Sequence, residues 1–195
     1  MRVEIVDVPF KELTEDQKKE LFELVDEVQH MDPYCDPEEQ TVFQWGERYF
    51  GVTNLLSLAY SATTGEEGKQ LIGYSATMQL EDYWDLEKDK TVYIGKNQNV
   101  KDWAYLAELG IAKPHRGQGL GSRLLERMEH QTMAIGRPNI LLRTPIYNTS
   151  DRSVNPAIGF YKHKHGYNEV QRDGKRFVVD MTSSGPDRMF LTKRK

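Results

Sequence analysis

The sequence contains few of the residues that build disulfides and metal sites. One cysteine and five histidines occur in 195 residues. The single cysteine, Cys35, cannot form an internal disulfide, so we expect a reducing, cytoplasmic compartment. The carboxylates around it in MDPYCDPEE oppose formation of a reactive thiolate. Because the histidines are scattered without metal-site spacing, we also expect no metal.

Long apolar runs and an excess of positive charge are also lacking. No stretch approaches the roughly 20 apolar residues that span a bilayer, and the opening MRVEIVDVPFKEL has no apolar signal segment. Lys and Arg number 26 against 30 Asp and Glu, which gives a net charge of -4. Since nucleic-acid binding needs a clustered basic surface, we expect neither a nucleic acid nor a membrane as partner.

The composition is typical of a globular protein that folds around an apolar core. Hydrophobic residues make up 38% of the chain and charged residues 29%. The length suits one core and is short of the size at which cores usually divide. We therefore predict a single domain over residues 1–195.

Hydrophobic periodicity and turn residues predict the strands and helices of the first half of the chain. Residues 2–8 alternate as a strand does, and Thr14 and Gln17 have the spacing of a capping box before an apolar helical stripe. Residues 55–62 and 70–80 are predicted to form an antiparallel hairpin around a glycine-containing turn. A short helix is predicted at 42–50.

The remaining elements alternate strands with helices. Residues 81–102 are polar and acidic, and we interpret them as an insertion with a short strand at 91–94. The other predicted elements are a strand at 103–112, a helix at 119–135, a strand at 139–144, a helix from about Asn155, and strands at 167–172, 176–181 and 188–193. This order predicts a mixed α/β fold and not a strict repeat of strand, helix, strand.

The segment AELGIAKPHRGQGLGSRLLERMEH joins a strand to a helix through three alternating glycines. Such a turn directs backbone N–H groups and the positive end of a helix dipole at one place, which favours an anion. A dinucleotide-binding fingerprint needs a small residue at Leu124, or Gly or Ala at Ser122. A Walker loop needs a glycine at Ser122 followed by lysine, so both patterns fail.

The same residues resemble motif A of the GNAT superfamily of N-acetyltransferases, with Arg116, Gly119 and Gly121 in its Arg/Gln-x-x-Gly-x-Gly/Ala signature. NPAIGFYKHKHGY resembles the motif that follows in that superfamily. The resemblance implies a twisted, largely antiparallel sheet of about seven strands flanked by helices. It also implies a splayed strand pair that holds acetyl-CoA.

By the same resemblance, two segments and one asparagine hold the cofactor. Backbone groups of the strand would bind the pantetheine arm, at Leu109, Gly110 and Ile111. The turn would bind the pyrophosphate, at Arg116, Gly117, Gln118, Gly119, Leu120, Gly121 and Ser122. Asn155, at the start of the second motif, completes the implied set.

The family's general acid is a tyrosine, and Tyr161 is its counterpart here. Family members usually place a glycine four residues after that tyrosine, whereas this chain has one residue more before Gly166. Alignment on Ala157 assigns the position to Tyr161, and alignment on Gly166 and Asn155 assigns it to Lys162. Tyr161 is our prediction.

Glu108 is the predicted general base, because some relatives place a glutamate on this strand beside the cofactor. Its direction depends on strand parity and on any bulge, since neighbouring residues face opposite sides. Glu81 and Asp82 are the next candidates. His115 is expected to face phosphate and not the reacting carbon.

The resemblance implies direct acetyl transfer from acetyl-CoA to a primary amine of a small molecule or peptide. A catalytically silent acyl-CoA sensor is the alternative, and a turn that binds another phosphate ligand is a third reading. The negative net charge makes cationic acceptors electrostatically reasonable. Because dimers are common in the family, a homodimer is a further expectation.

Overall fold

A computed structural model describes residues 2–29, 50, 51, 53, 55–62, 68–87, 94, 98–148, 151–172, 174–179 and 187–194. Its strands are β1 (Arg2–Asp7), β2 (Leu55–Ala62), β3 (Lys69–Gln79), β4 (Trp103–Ile111), β5 (Asn139–Pro145), β6 (Asn168–Glu169), β7 (Gln171–Arg172), β8 (Lys175–Arg176), β9 (Val178–Val179) and β10 (Arg188–Lys193). Its helices are α1 (Glu15–Gln29), α2 (Leu80–Glu87), α3 (Leu120–Ala134) and α4 (Pro156–Gly159). A π-helical turn, Phe160–Lys164, continues α4 directly.

The main sheet follows the order β1-β2-β3-β4-β5-β10-β6, and β9 also pairs with β10. Every neighbouring pair is antiparallel except β4 and β5, which are parallel. Strands β7 and β8 form a separate small hairpin. The predicted mixed, largely antiparallel sheet of about seven strands is confirmed.

Helices cover both faces of this sheet. Apolar side chains of α1, such as Leu21 and Val25, pack with Leu58 and Tyr74. On the other face, Leu124 and Leu125 of α3 are fully buried in two apolar clusters. Burying one such leucine contributes roughly 1.5–3 kcal/mol. We call these the α1 face and the α3 face; α2 lies on the α1 face, where Tyr83 stacks on Tyr105.

Two local signals in the first half are confirmed. The amide of Thr14 donates to Oε1 of Gln17 at 3.0 Å, and the amide of Gln17 donates to Oγ1 of Thr14 at 3.3 Å. This is the predicted capping box, and it starts α1. The predicted hairpin is also present, since β2 and β3 pair along their lengths with one register shift.

Three elements differ from the sequence prediction. Residues 80–87 form helix α2, within a segment where no helix was predicted. The helix forms because Leu80 and Tyr83, three residues apart, are both fully buried, and Glu81 and Asp82 favour a helix N-terminus. The strands predicted at 167–172 and 176–181 are shorter pieces, β6 to β9.

Parts of the sequence prediction lie outside the described residues. They are most of the helix at 42–50 and residues 91–93 of the short strand. Among the described helices, none has the length and apolar character needed to cross a membrane.

Candidate active site

Strands β4 and β5 are paired only over their first four residues. Parallel pairs join 103–106 of β4 to 139–142 of β5. Beyond these pairs β4 continues to Ile111 and β5 to Pro145 without pairing to each other. We call this region, residues 107–111 and 143–145, the divergence. Backbone groups on its inner edges need partners from elsewhere, and a ligand that carries amide groups is suited to supply them.

The glycine turn lies at the end of β4 and opens α3. Gly117 and Gly119 have φ angles of 74° and 81°, a left-handed conformation that favours glycine. Gly119 caps the helix without a side-chain hydrogen bond, and the first turn contains no acidic residue. The first amides of a helix have no partner within it, so this terminus of a 15-residue helix favours an anion.

Side chains of the turn fix it against its neighbours. Nε of Arg116 donates to the carbonyl of Ile111 at 2.9 Å, and Nε2 of Gln118 donates to the carbonyl of Pro114 at 3.1 Å. Oγ of Ser122 lies 3.0 Å from Nε2 of His165. The residues predicted to bind the cofactor at 109–111 and 116–122 therefore lie in one continuous stretch, at one end of the divergence.

A β-bulge sets the direction of Glu108. Met78 of β3 pairs with Tyr105, and Ala76 pairs with Glu108. Two steps along β3 thus correspond to three along β4, which makes Ala107 the additional residue of the bulge. Because directly opposed residues share a face, Glu108 lies on the α1 face with Tyr105. Regular alternation would have placed it on the α3 face.

Glu108 has the electrostatic character of a base that operates near neutral pH. Burial raises the pKa of its carboxyl group to about 7, although the positive charges of Arg188 and Arg143 act in the opposite direction. A general base is most effective when its pKa lies near the working pH. Among the predicted residues, Glu108 therefore suits proton transfer by its position and by its pKa.

The additional residue before Gly166 is accommodated by a π-helical turn. Helix α4 gives way to this turn at Phe160–Lys164, and the amide of Tyr167 donates to the carbonyl of Tyr161 at 3.0 Å. A π-helical turn adds one residue to a helix without ending it, and such turns are frequent at functional sites. The departure from the family spacing thus has a local structural cause.

Tyr161 lies on the α3 face of the divergence. Its side chain is buried in a cluster with Leu106 of β4 and Leu142 of β5, and the partly buried Leu109 packs against the same cluster. Leu106 and Leu142 are the last paired residues before the strands separate. Tyr161 and Glu108 therefore approach the divergence from opposite faces of the sheet.

Two polar side chains near Tyr161, those of Lys162 and Tyr167, have partners of their own. Nζ of Lys162, the alternative at the acid position, forms an ion pair with Glu169. The ring of Tyr167 lies 5.6 Å from that of Tyr161, but its hydroxyl donates to Oε1 of Glu129 at 3.2 Å. Burial, followed by the charge of Glu129, raises the pKa of Tyr167. Neither side chain suits proton donation at the divergence as well as Tyr161.

The other candidate bases are less suitable. Burial opposes ionisation of Glu81, but hydrogen bonds and the charge of Arg137, at 2.8 Å, lower its pKa overall. Asp82 follows in the first turn of α2. His115 lies in the turn between β4 and α3, and its buried Nδ1 has no hydrogen bond among the described residues. Within those residues, no cluster of three or more His, Cys, Asp or Glu is arranged to hold a metal.

Asn155 is buried at the start of α4. Its Oδ1 accepts from the amide of Ala157 at 3.0 Å, and its Nδ2 donates to the carbonyl of Pro145 at 3.0 Å and to Oγ1 of Thr144 at 3.3 Å. The side chain therefore caps α4 and ties it to the end of β5. It thereby positions α4 and the π-helical turn that contains Tyr161, and a direct contact with the cofactor stays a prediction.

Sequence reasoning missed three charged side chains near the site. Arg143 and Arg188 act on Glu108 from β5 and β10. Glu129 of α3 is buried and binds Nζ of Lys193 at 2.8 and 2.9 Å. No motif spacing connects Arg143 or Arg188 to Glu108, and only the strand order brings these three residues together.

Known proteins share this architecture. The profile of the acetyltransferase (GNAT) domain family matches residues 62–169, which include β3 to α4 and the whole glycine turn. No curated protein sequence is similar enough to count as a match.

Several solved structures have the same fold. An acetyltransferase of the GNAT family from Staphylococcus aureus Mu50 has a TM-score of 0.60 at 13% identity, with 98% of each chain covered. The PaiA N-acetyltransferase from Thermoplasma acidophilum, solved in complex with coenzyme A, has a TM-score of 0.59 at 15% identity over 100% of each chain. The ribosomal-protein-S18-alanine N-acetyltransferase from Escherichia coli has a TM-score of 0.56 at 14% identity, covering 98% of this chain and 92% of its own. The matched profile spans more than half of the chain, including the glycine turn and the divergence, and the chain belongs to the GNAT family of acetyltransferases.

Proposed function

We propose that this chain transfers the acetyl group of acetyl-CoA directly to a primary amine of a small molecule or peptide. The observation that carries the proposal is the position of Glu108. Its carboxyl group, with a pKa of about 7, lies at the divergence, 11 residues along the chain before Gly119, which caps a helix terminus suited to a pyrophosphate. A base and an anion-binding turn at this separation suit a long thioester ligand better than a phosphate ligand alone.

The turn fits the pyrophosphate of coenzyme A. No other atom lies within 4 Å of the place where a Cβ would stand at Gly117 or Gly119, so the backbone is open to close approach. Arg116 is exposed beside it and adds a permanent positive charge. Backbone amides in such a concave turn, together with a helix dipole, form a common phosphate site. The unpaired edge of β4 at 109–111 would hold the pantetheine amides.

Glu108 and Tyr161 would divide the proton transfers. An alkylamine with a pKa of about 10.4 is almost fully protonated at neutral pH, so Glu108 accepts a proton from it, directly or through water. The freed lone pair then forms the new N–C bond as the C–S bond breaks, and the nitrogen releases its second proton to solvent, from which Tyr161 regains the proton that it gives to sulfur. Tyr161 donates its proton to the departing sulfur from the α3 face. The bound thioester supplies the acyl carbon.

The test combines binding with turnover. Coenzyme A at about 100 times its dissociation constant should stabilise the folded chain by roughly 2.7 kcal/mol, which raises the melting temperature. Release of free coenzyme A from acetyl-CoA is then followed across a panel of primary amines. We expect turnover with at least one amine, and its loss in Glu108→Gln.

Other results would select the alternatives. Binding without turnover across a broad panel would favour an acyl-CoA sensor. Absence of any thermal shift with coenzyme A would overturn the proposal and favour a different phosphate ligand.

A further inference from the structure

Two arginines share the α1 face with Glu108. On β5, Leu141 belongs to the apolar cluster of the α1 face and Leu142 to that of the α3 face, so alternation assigns Arg143 to the α1 face. On β10, Phe190 belongs to the α1-face cluster, and Arg188, two residues earlier, lies on the same face. Both guanidinium groups are close enough to Glu108 to lower its pKa.

These arginines lie at the divergence. Arg143 is the first residue of β5 beyond the last pair with β4, and Arg188 pairs with Pro145 at the end of that strand. The guanidinium of Arg143 lies 5.6 Å from the centre of the Tyr83 ring. The surface beside the proposed base is therefore formed by strands β4, β5 and β10, each of which contributes one charged residue.

Arg188 differs from Arg137 and Lys193, two other basic side chains that are largely buried. Arg137 has Glu81 at 2.8 Å, and Lys193 has Glu129 at 2.8 Å. The Nε of Arg188 is also buried, yet among the described residues it has no hydrogen-bond acceptor, and the side chain forms no ion pair, although its charge acts on Glu108. A buried charged donor without an acceptor is costly, so an acceptor supplied by a ligand would stabilise this side chain.

The local charge is opposite to that of the whole chain. Two arginines face one carboxylate, although the net charge of the protein is -4. The guanidinium fork matches carboxylate and phosphate geometry, and the carboxylate of Glu108 suits an ammonium group. The site therefore offers a positive and a negative element side by side.

We propose that the acceptor is a zwitterionic amine, whose carboxylate or phosphate binds Arg188 while its ammonium group faces Glu108. Arg143 strengthens the positive field at the same place. The inference rests on the proposed function and narrows its substrate class. It also changes the expectation, drawn from the net charge, that the acceptor is a cation, because a purely cationic amine would leave Arg188 without an acceptor.

The experiment uses amines in matched pairs, in which one member carries an anionic group and the other, called its neutral partner, has an uncharged group at that place. Free amino acids are compared with their carboxamides, and phosphoethanolamine with ethanolamine, which separates carboxylate from phosphate recognition. Rates of coenzyme A release are measured at about pH 9, where Glu108, with a pKa of about 7, is ionised in all variants. We expect the acidic member of at least one pair to have the higher kcat/KM.

Variants of Arg188 identify the contact. Arg188→Gln should raise KM for the acidic acceptor about 10- to 100-fold, the effect of losing a charged hydrogen bond, and should change KM for its neutral partner little. Arg188→Lys should restore part of the difference. Arg2→Gln, an exposed residue on the edge strand β1, removes the same charge far from the site and should have no effect.

Binding measurements distinguish failure of this inference from failure of the proposed function. The acidic and neutral members are titrated into the coenzyme A-loaded protein, with binding heat as the readout. If the acidic member binds without turnover, and Arg188→Gln abolishes that binding, acetyl transfer is refuted and the anion site is supported. Equal binding and equal turnover of acid and amide would overturn the anion site and leave acetyl transfer in place.

Discussion

Glu108 and Tyr105 lie three residues apart on β4 and yet occupy the same face of the sheet, because Ala107 forms a bulge between them. The bulge matters for the site through its effect on Glu108 and through its position on β4. It turns a carboxylate toward the α1 face, and it lies just past the residue where β4 and β5 separate. One local irregularity therefore sets the direction of Glu108 at the start of the divergence.

The first prediction concerns the pH dependence of turnover. A base must be unprotonated, so kcat/KM should fall as the pH drops below about 7, the pKa of Glu108. Glu108→Gln should lower kcat/KM by about 10²–10⁴-fold and remove this limb. The pH dependence of kcat/KM that is caused by protonation of the acceptor amine itself should remain in the variant. Initial rates of coenzyme A release from pH 5 to 9 measure both effects, that of Glu108 and that of the amine.

Glu81→Gln is the matched control for that profile. Glu81 is already held by Arg137, and its pKa is lowered, so it should not titrate in this range. The variant should lose stability and keep the limb near pH 7. If Glu81→Gln removed the limb and Glu108→Gln kept it, the assignment of the base would be wrong.

The second prediction concerns stability. The pKa of Glu108 is raised from 4.5 to about 7 in the folded chain, so between these values the folded state holds a proton that the unfolded state has lost. Stability contributed by this site is full below pH 4.5 and declines as the pH rises to about 7. Glu108→Gln should therefore melt at a higher temperature than the wild type at pH 8, and the gap should narrow toward pH 4.5. A gap that is the same at every pH would contradict the raised pKa.

Sequence reasoning predicted the parts of the site that depend on neighbouring residues. The glycine turn, the start of α3 and the strands on either side are local features, because glycine at positive φ and helix periodicity act over a few residues. Gly117 and Gly119 have the conformation that such a turn requires. Helix α2 is the exception, because half of its eight residues are carboxylates and burial of Leu80 and Tyr83 selects the helix.

Features that depend on distant residues could not be predicted. The direction of Glu108 depends on how β4 pairs with β3, and alternation within β4 alone gives the opposite face. The convergence of Arg143 and Arg188 requires β10 to lie beside β5, which local periodicity does not specify. The additional residue after Tyr161 was visible in the sequence, but a π-helical turn and a misaligned motif produce the same spacing.

The third prediction concerns the general acid. Tyr161→Phe should lower kcat by about 100-fold or more and leave coenzyme A affinity nearly unchanged, because only the proton to the leaving sulfur is lost. Coenzyme A release and calorimetric binding measure the two quantities separately.

Tyr167→Phe is the control, since its ring lies 5.6 Å from that of Tyr161 but its hydroxyl binds Glu129. This variant should be less stable, because Glu129 loses a hydrogen-bond donor, and should keep nearly wild-type turnover. Wild-type kcat in Tyr161→Phe would move the acid to another group.

The fourth prediction separates anion binding from backbone strain at the glycine turn. Gly119 and Gly136 lie just beyond the two ends of α3 with nearly equal φ angles, 81° and 79°, and both have open space where a Cβ would stand. Valine at either position should destabilise the fold similarly, by at least about 1 kcal/mol, because the left-handed conformation is costly for side chains with a Cβ. Only Gly119→Val should weaken coenzyme A binding, by more than about 10-fold, since only the N-terminus presents free amides and the positive end of the dipole. Alanine replaces valine at both positions if either valine variant does not fold. Equal coenzyme A affinity in the two folded variants would mean that the turn does not bind the pyrophosphate.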